Sequence, residues 1–232
     1  VNDFVNAFKF IGDHWSDLLQ DSCIQTLKLF AAGFLIAAVI ALPIGIWLGH
    51  LHRGAFLAIN VSNIGRALPS LAVIAILLAV HPFGLGIGYW TVVVALVILA
   101  VPVILTNAYV GVDGVDRDLV EAARGMGMTS WQILTRVEVP IALPLIFAGL
   151  RTAALYVMAT TPLAAFAGGE GLGNVIANQA SYKLEGVIAA SILVSALAFM
   201  ADGLFALLQH YATPRALRGR QSAKRGSALA ST

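Results

Sequence analysis

Long apolar stretches dominate this chain and dictate most of what it can become. The segments from about Ser22 to Gly49, Ala55 to Val80, Tyr89 to Val110, Pro140 to Phe166 and Gly186 to Gln209 are each rich in Ala, Leu, Ile and Val. Roughly 20 such residues in a helix cross a hydrocarbon layer about 30 Å thick. A backbone in lipid must satisfy its own polar groups, so helices are the natural form for these spans. About five transmembrane helices are therefore expected, and the fold class is all-α integral membrane. Composition agrees: 59% of the 232 residues are hydrophobic and 11% charged, against about 25% charged in soluble domains. The single cysteine, Cys23, excludes an internal disulfide and a cysteine-built zinc cluster. Before Asp21 there is no basic region followed by an apolar core, so no cleavable signal peptide is expected.

The flanks of the spans set the organisation. Residues 1–21 read as an amphipathic helix, with Phe4, Phe8, Ile11, Trp15 and Leu18 on one stripe and Asp3, Asn6, Asp13 and Asp17 behind it. Two readings stay open for it: a helix on the membrane surface, or one packed on the flank of the bundle. Residues 22–212 form the transmembrane domain, and 213–232 a polar tail. Ala167 to Glu185 reads as a loop carrying the glycine cluster GGEGLG. One side of the expected topology holds Arg53, Arg117, Arg124, Arg136, Arg215, Arg218, Arg220, Lys224 and Arg225; the other holds Lys9 and Lys183. Positive residues favour the cytoplasmic side. The N-terminus is thus expected outside and the C-terminus in the cytoplasm, in the cytoplasmic (inner) cell membrane. Pro43, Pro69, Pro102 and Pro162 fall inside four of the spans, where each removes a backbone donor and tends to kink its helix.

One polar segment, residues 114–140, interrupts the apolar pattern. Leu119, Ala122 and Ala123 sit in a helical stretch, which Gly125 and Gly127 break. Thr129 and Ser130 are candidate caps for a second short helix, Trp131 to Val137. Pro140 suits the first turn of the span that follows. A helix, a glycine elbow and a second helix make a rigid knob suited to another protein's groove.

The spacing inside this knob is specific. Glu121-Ala122-Ala123, three residues, Gly127, nine residues, then Val137-x-Val139-Pro140 resembles the EAA loop of ABC-importer permeases, with Val at the family's Ile and Leu positions. Arg66-Ala-Leu-Pro69-Ser70-Leu71-Ala72, Gly84-Leu-Gly86-Ile-Gly88, the run from Gly168 to Gly173 and Thr213-Pro214-Arg215 resemble segments of the glycine betaine, carnitine and choline permeases within that superfamily. The resemblance implies a MetI-like type I importer permease fold and half of a translocation path for compatible solutes. It also implies separate ATP-binding cassette ATPase subunits, an external solute-binding protein, and a second permease copy or paralogue. Glu121, Ala122, Ala123, Arg124, Gly127 and Pro140 would then form the segment that couples to the ATPase. Another small solute, such as an amino acid, is the alternative cargo.

Other chemistry finds little support in the residues. No Gly-Lys-Ser/Thr occurs and none of the four lysines follows a glycine, so the chain lacks a phosphate loop of its own. GGEGLG does not have dinucleotide-loop spacing. His50 and His52 have no carboxylate or third histidine nearby in sequence, and read as a basic interfacial turn rather than a metal pair. No G-x-S-x-G elbow appears. No catalytic residue, metal, cofactor or nucleic-acid partner is therefore expected. Tyr89, Trp90 and Tyr156 read as interfacial or packing aromatics rather than a cation cage. Arg66 is the foremost intramembrane charge, a candidate for the path or for a structural ion pair, because such a charge usually faces protein or water. Arg151 and Asp202 are similar, with Asp202 near enough to the cytoplasmic end to be interfacial. A five-span enzyme or assembly factor would need clustered ionisable groups, and an ion-coupled carrier would need more intramembrane carboxylates.

Overall fold

The computed structural model describes residues 2–212 apart from 54, 57–59, 61, 62, 64, 66, 81–83 and 85. Among these there are helices and no strands. Helix α1 (Asn2–Asp13) runs through a π-turn (Trp15–Leu19) into α2 (Gln20–His50). There follow α3 (Ser70–Val80), α4 (Tyr89–Asp113), α5 (Arg117–Gly125) and α6 (Ser130–Ile133). A second π-turn (Leu134–Glu138) leads into α7 (Val139–Thr160), which ends in a 3-10 turn (Thr161–Ala167). Helices α8 (Leu172–Ala177) and α9 (Gln179–Ala212), the latter kinked at Lys183 (φ 55, ψ -178), complete the described residues.

Glycine contacts give the register. A Cβ added at Gly33 would lie 2.7 Å from Leu96 Cβ, and one at Gly49 would lie 2.8 Å from Val112 Cβ. Both pairs are offset equally in sequence, so α2 and α4 run parallel. Gly111 faces Ala142 while Gly149 faces Asn107, so α4 and α7 run antiparallel. Gln209 Nε2 donates to the Pro144 carbonyl and Arg151 pairs with Asp202, so α7 and α9 are antiparallel too. Because α2 and α4 are parallel, the chain between them returns across the bundle, and α3 lies on that return. Four helices among the described residues are long and apolar enough to cross a membrane: 20–50, 89–113, 130–167 and 179–212. The remaining expected span, 55–80, falls partly outside the described residues, and its α3 portion has 11 residues. The core between α2, α3, α4 and α7 is mainly apolar, with Ile74, Leu96, Leu99, Ile104 and Ala153 buried.

Small residues let α2 and α4 approach closely, as is common between membrane helices. At Gly45 an added Cβ would meet the Leu105 carbonyl oxygen at 2.6 Å and Ala108 Cβ at 2.8 Å. Neither can swing aside, since one is backbone. Gly45→Val is expected to destabilise the subunit by about 1–3 kcal/mol through overpacking. Thermal unfolding of the purified protein in detergent checks this; an unchanged midpoint would contradict the packing described.

Several details differ from the sequence expectation. Pro43 and Pro102 lie within helices, but Pro69 immediately precedes α3 and Pro162 opens the 3-10 turn. Pro144 lies inside α7 as well. Helix α1 packs on α9 through Ala7, Phe10 and Ile11, and Asn6 Nδ2 donates to Glu185 Oε1 at 3.2 Å. Phe4 and Phe8 of the same stripe remain exposed. Flank packing is thus the arrangement of its inner face. The stretch from Ala167 to Glu185 is not a plain loop. It contains α8, whose Leu172 and Val175 are buried with Leu19 and Ala190. Thr26, buried in α2, accepts the Leu172 N–H at 3.0 Å and donates its hydroxyl to the Ser22 carbonyl. Gly173 is pressed against Pro162, whose carbonyl oxygen would clash with an added Cβ. The glycine cluster therefore permits close approach of this short helix to the bundle.

Candidate functional site

The register places the C-terminal ends of α2, α4 and α9 at one end of the bundle, where the polar segment 114–140 also sits. Its first helix, α5, is capped by Asp116, whose Oδ1 accepts the Asp118 N–H at 3.0 Å. Asp118 in the first turn and Arg124 in the last complement the helix dipole. Val120 and Ala123 are buried with Val115 and Ile133, and Met128, Val137 and Ile141 pack around them. The knob thus has a small core of its own.

The elbow after α5 is a defined helix stop. Gly127 N–H donates to the Arg124 carbonyl at 3.0 Å, and Met128 N–H donates to the Ala123 carbonyl at 3.2 Å. Gly127 has φ +83. This is the Schellman pattern, which places a left-handed residue just past the helix and brings the next side chain back on the last turn. Met128 and Ala123 make that contact. Gly125 is simply the last residue of α5.

Thr129 then starts the second helix with a reciprocal cap. Its Oγ1 accepts the Gln132 N–H at 3.4 Å, and Gln132 Oε1 accepts the Thr129 N–H at 2.8 Å. Ser130 is the first helical residue rather than a second cap. Nor does this helix end at Val137: it continues through the π-turn into α7, a helical path over residues 130–167. In the π-turn the Val139 N–H bonds to the Leu134 carbonyl. This lets the helix pass into Pro140, which brings no donor of its own. The knob is therefore continuous with a membrane span.

Within the segment, Glu121, Ala122, Arg124 and Gly127 are exposed, Ala123 is buried and Pro140 is half-buried. The large apolar side chains Leu119, Met126 and Trp131 are exposed as well, with Met126 at 77%. The expectation for Arg66 falls outside the described residues.

Sequence reading missed the root of the knob. Glu138, the unassigned position in Val137-x-Val139-Pro140, is 1% exposed, and His50 Nδ1 is hydrogen-bonded to its Oε2 at 2.5 Å. Two residues on, His52 Nδ1 is hydrogen-bonded to Asp113 Oδ1 at 2.9 Å. His52 has φ +47, uncommon for a side-chain-bearing residue, in the tight turn that ends α2. The two histidines thus serve two different carboxylates, one on the knob's exit and one on α4. Among the described residues no group of three or more His, Cys, Asp or Glu could hold a metal ion. The available signal for Glu138 was a lone acid four residues after the core residue Leu134.

Arg151 and Asp202, taken singly in sequence, are partners. Arg151 Nη2 donates to Asp202 Oδ2 at 2.6 Å, and Nε donates to Oδ1. Asp202 is therefore anchored to α7. Tyr89 and Trp90, at the other end of the bundle, meet edge to face.

This arrangement has counterparts. The family described as binding-protein-dependent transport system inner membrane component matches residues 27–213. The chain is 37% identical over 196 residues to the glycine betaine/carnitine/choline transport system permease protein OpuCB of Bacillus subtilis, covering 84% of this chain and 88% of that one. It is 36% identical to the carnitine transport permease protein OpuCB of Listeria monocytogenes, with the same 84% and 88% coverage. Among solved structures, an inward-facing form of the MetNI methionine ABC transporter matches with a TM-score of 0.75 at 21% identity, covering 85% of this chain and 97% of that chain.

Proposed function

The chain belongs to the family of binding-protein-dependent transport system inner membrane components, and from that premise we propose that it carries compatible solutes such as glycine betaine, carnitine or choline. It is an integral membrane permease subunit of the type I ABC importer fold. In this reading it forms half of a translocation path, completed by a second copy or a paralogue. Separate ATPase subunits bind the knob, and an external solute-binding protein docks on the opposite end. The knob end and C-terminus lie in the cytoplasm and the N-terminus outside. The distribution of Arg53, Arg117, Arg124 and Arg136 around the knob end, against Lys9 and Lys183 at the other, supports this orientation.

The mechanism follows from stiffness. Leu119, Met126 and Trp131 offer apolar contact to the ATPase, and Glu121 and Arg124 add polar contacts. Movement of the ATPase pulls on the knob. Its own core and two helix caps keep it from deforming, and the helical path through Glu138 and Pro140 delivers the displacement to α7. The His50–Glu138 bond ties that motion to α2. Alternating access needs such a rigid lever acting on a kinked bundle.

The observation that supports the substrate class most is the identity to permeases whose names specify these solutes, over most of both chains. The methionine importer supports the fold alone, so an amino acid remains the lesser reading. The test is to isolate the tagged subunit with its bound partners and reconstitute the complex with its binding protein in vesicles. A P-loop ATPase should co-purify, and ATP-driven uptake of labelled glycine betaine should exceed that of amino acids. Uptake of amino acids alone would overturn the substrate class, and absence of an ATPase would overturn the importer role.

A further inference from the structure

The Arg151–Asp202 pair lies where an uncovered charge is hardest to sustain. Helix α7 has 22 residues, about 33 Å at ~1.5 Å per residue, which matches a hydrocarbon core of about 30 Å. Arg151 lies within two residues of the midpoint of α7, between Val139 and Thr160, and within three residues of the midpoint of the whole helical path over residues 130–167. Yet its side chain is 41% exposed, and that of Asp202 is 21% exposed. The two bonds to Asp202 use Nε and one hydrogen of Nη2. The Nη1 donors and the other Nη2 hydrogen have no acceptor among the described residues. Lipid chains offer no acceptor, and an intramembrane guanidinium facing lipid is strongly disfavoured. The same side of α7 exposes Thr152, next to Arg151, and Leu155.

We propose that this face of α7 borders the water-filled translocation path, and that the free edge of Arg151 binds the carboxylate of a zwitterionic solute on its way across. The inference rests on the importer reading above. Asp202 fixes the guanidinium and neutralises its charge, so the site when empty does not repel the solute's cationic group. The remaining donors of the guanidinium present a planar edge suited to a carboxylate. Glycine betaine and carnitine carry that group, and choline does not. The pair thus acts on one end of the solute only.

Two measurements test this. First, Cys23→Ser removes the single cysteine, and Thr152→Cys is added in the reconstituted complex. A membrane-impermeant thiol reagent should label Thr152→Cys. Labelling only by a lipid-soluble reagent would place this face against lipid and overturn the proposal. A disulfide between two copies without labelling would place it in a dry subunit contact and overturn it equally. Second, the double variant Arg151→Gln, Asp202→Asn keeps hydrogen-bonding side chains but no charge. With saturating loaded binding protein, maximal glycine betaine uptake should fall about tenfold, the scale of one lost charge-assisted bond. Choline uptake should change much less. Equal loss for both solutes would mean a structural pair and would overturn the carboxylate role. If the wild-type complex carries an amino acid instead, the comparison is made between it and its decarboxylated amine. Thiol labelling does not depend on the cargo, so failure of the substrate class leaves the path assignment separately decided.

Discussion

Gly127→Val is expected to leave the subunit inserted and assembled, yet to reduce solute uptake by an order of magnitude or more. Nothing lies within 4 Å of a Cβ added at Gly127, so the substitution creates no clash. Its effect is entirely in the backbone. Gly127 has φ +83, a conformation that costs an L-residue about 1–2 kcal/mol, with β-branched residues faring worst. Relief of that strain requires opening the Schellman turn between Ala123 and Met128, which sets the angle between α5 and α6. The contact surface of the knob then no longer aligns with the helix that leads to α7. Uptake should fall while basal ATP hydrolysis persists, and stimulation of hydrolysis by loaded binding protein should be lost. Gly127→Asn, which tolerates the left-handed region better, should retain most activity. Gly125→Ala, at a helical position with open space around it, should transport normally. Wild-type uptake by Gly127→Val would contradict the elbow's role.

The second large effect is expected at His50. Its ring is the hydrogen-bond partner of Glu138, which is 1% exposed. Removal of one member of a buried hydrogen-bonded pair leaves the other polar group unsatisfied and costs about 1–3 kcal/mol. For a chain of this size that corresponds to a fall in the melting midpoint of roughly 5 °C. His50→Ala should therefore unfold early in detergent and accumulate poorly in membranes. The double variant His50→Leu, Glu138→Leu should recover most of the lost stability, because well-packed apolar replacements of a buried pair are often neutral. A melting midpoint for His50→Ala that matches the wild type would show that Glu138 does not depend on this histidine.

What was legible in the sequence was local. Hydropathy marked the long helices, because each satisfies its backbone within itself and needs no partner to be recognised. The stop at Gly127 and the cap at Thr129 were legible for the same reason: their hydrogen bonds span three to five residues. Contacts between distant segments were not legible. His50 and Glu138 are 88 residues apart, and Arg151 and Asp202 are 51 apart. No periodicity within one helix announces such a partner. The helix in residues 167–185 was hidden because its six residues are too few to show a period, and its glycines resemble turn residues until Pro162 and Thr26 are seen against them. Pro140 read as the start of a span, whereas a π-turn carries the helix through that point from Ser130. Inner and outer faces of α1 were merged for a related reason. Phe4 and Phe8 share a stripe with Ile11, yet both stay exposed while Ile11 packs into the cluster against α9.

The central claim is that the elbowed knob engages the nucleotide-hydrolysing partner on the cytoplasmic side. Met126, 77% exposed beside Gly127, is the position from which to measure it. With Cys23→Ser as background, Met126→Cys in the assembled complex should cross-link to the ATPase subunit through a short bifunctional thiol reagent. An impermeant thiol probe should reach it in inside-out vesicles and not in intact cells. Labelling from the outside of intact cells, or an assembled complex in which Met126→Cys cross-links to no ATPase, would contradict the account.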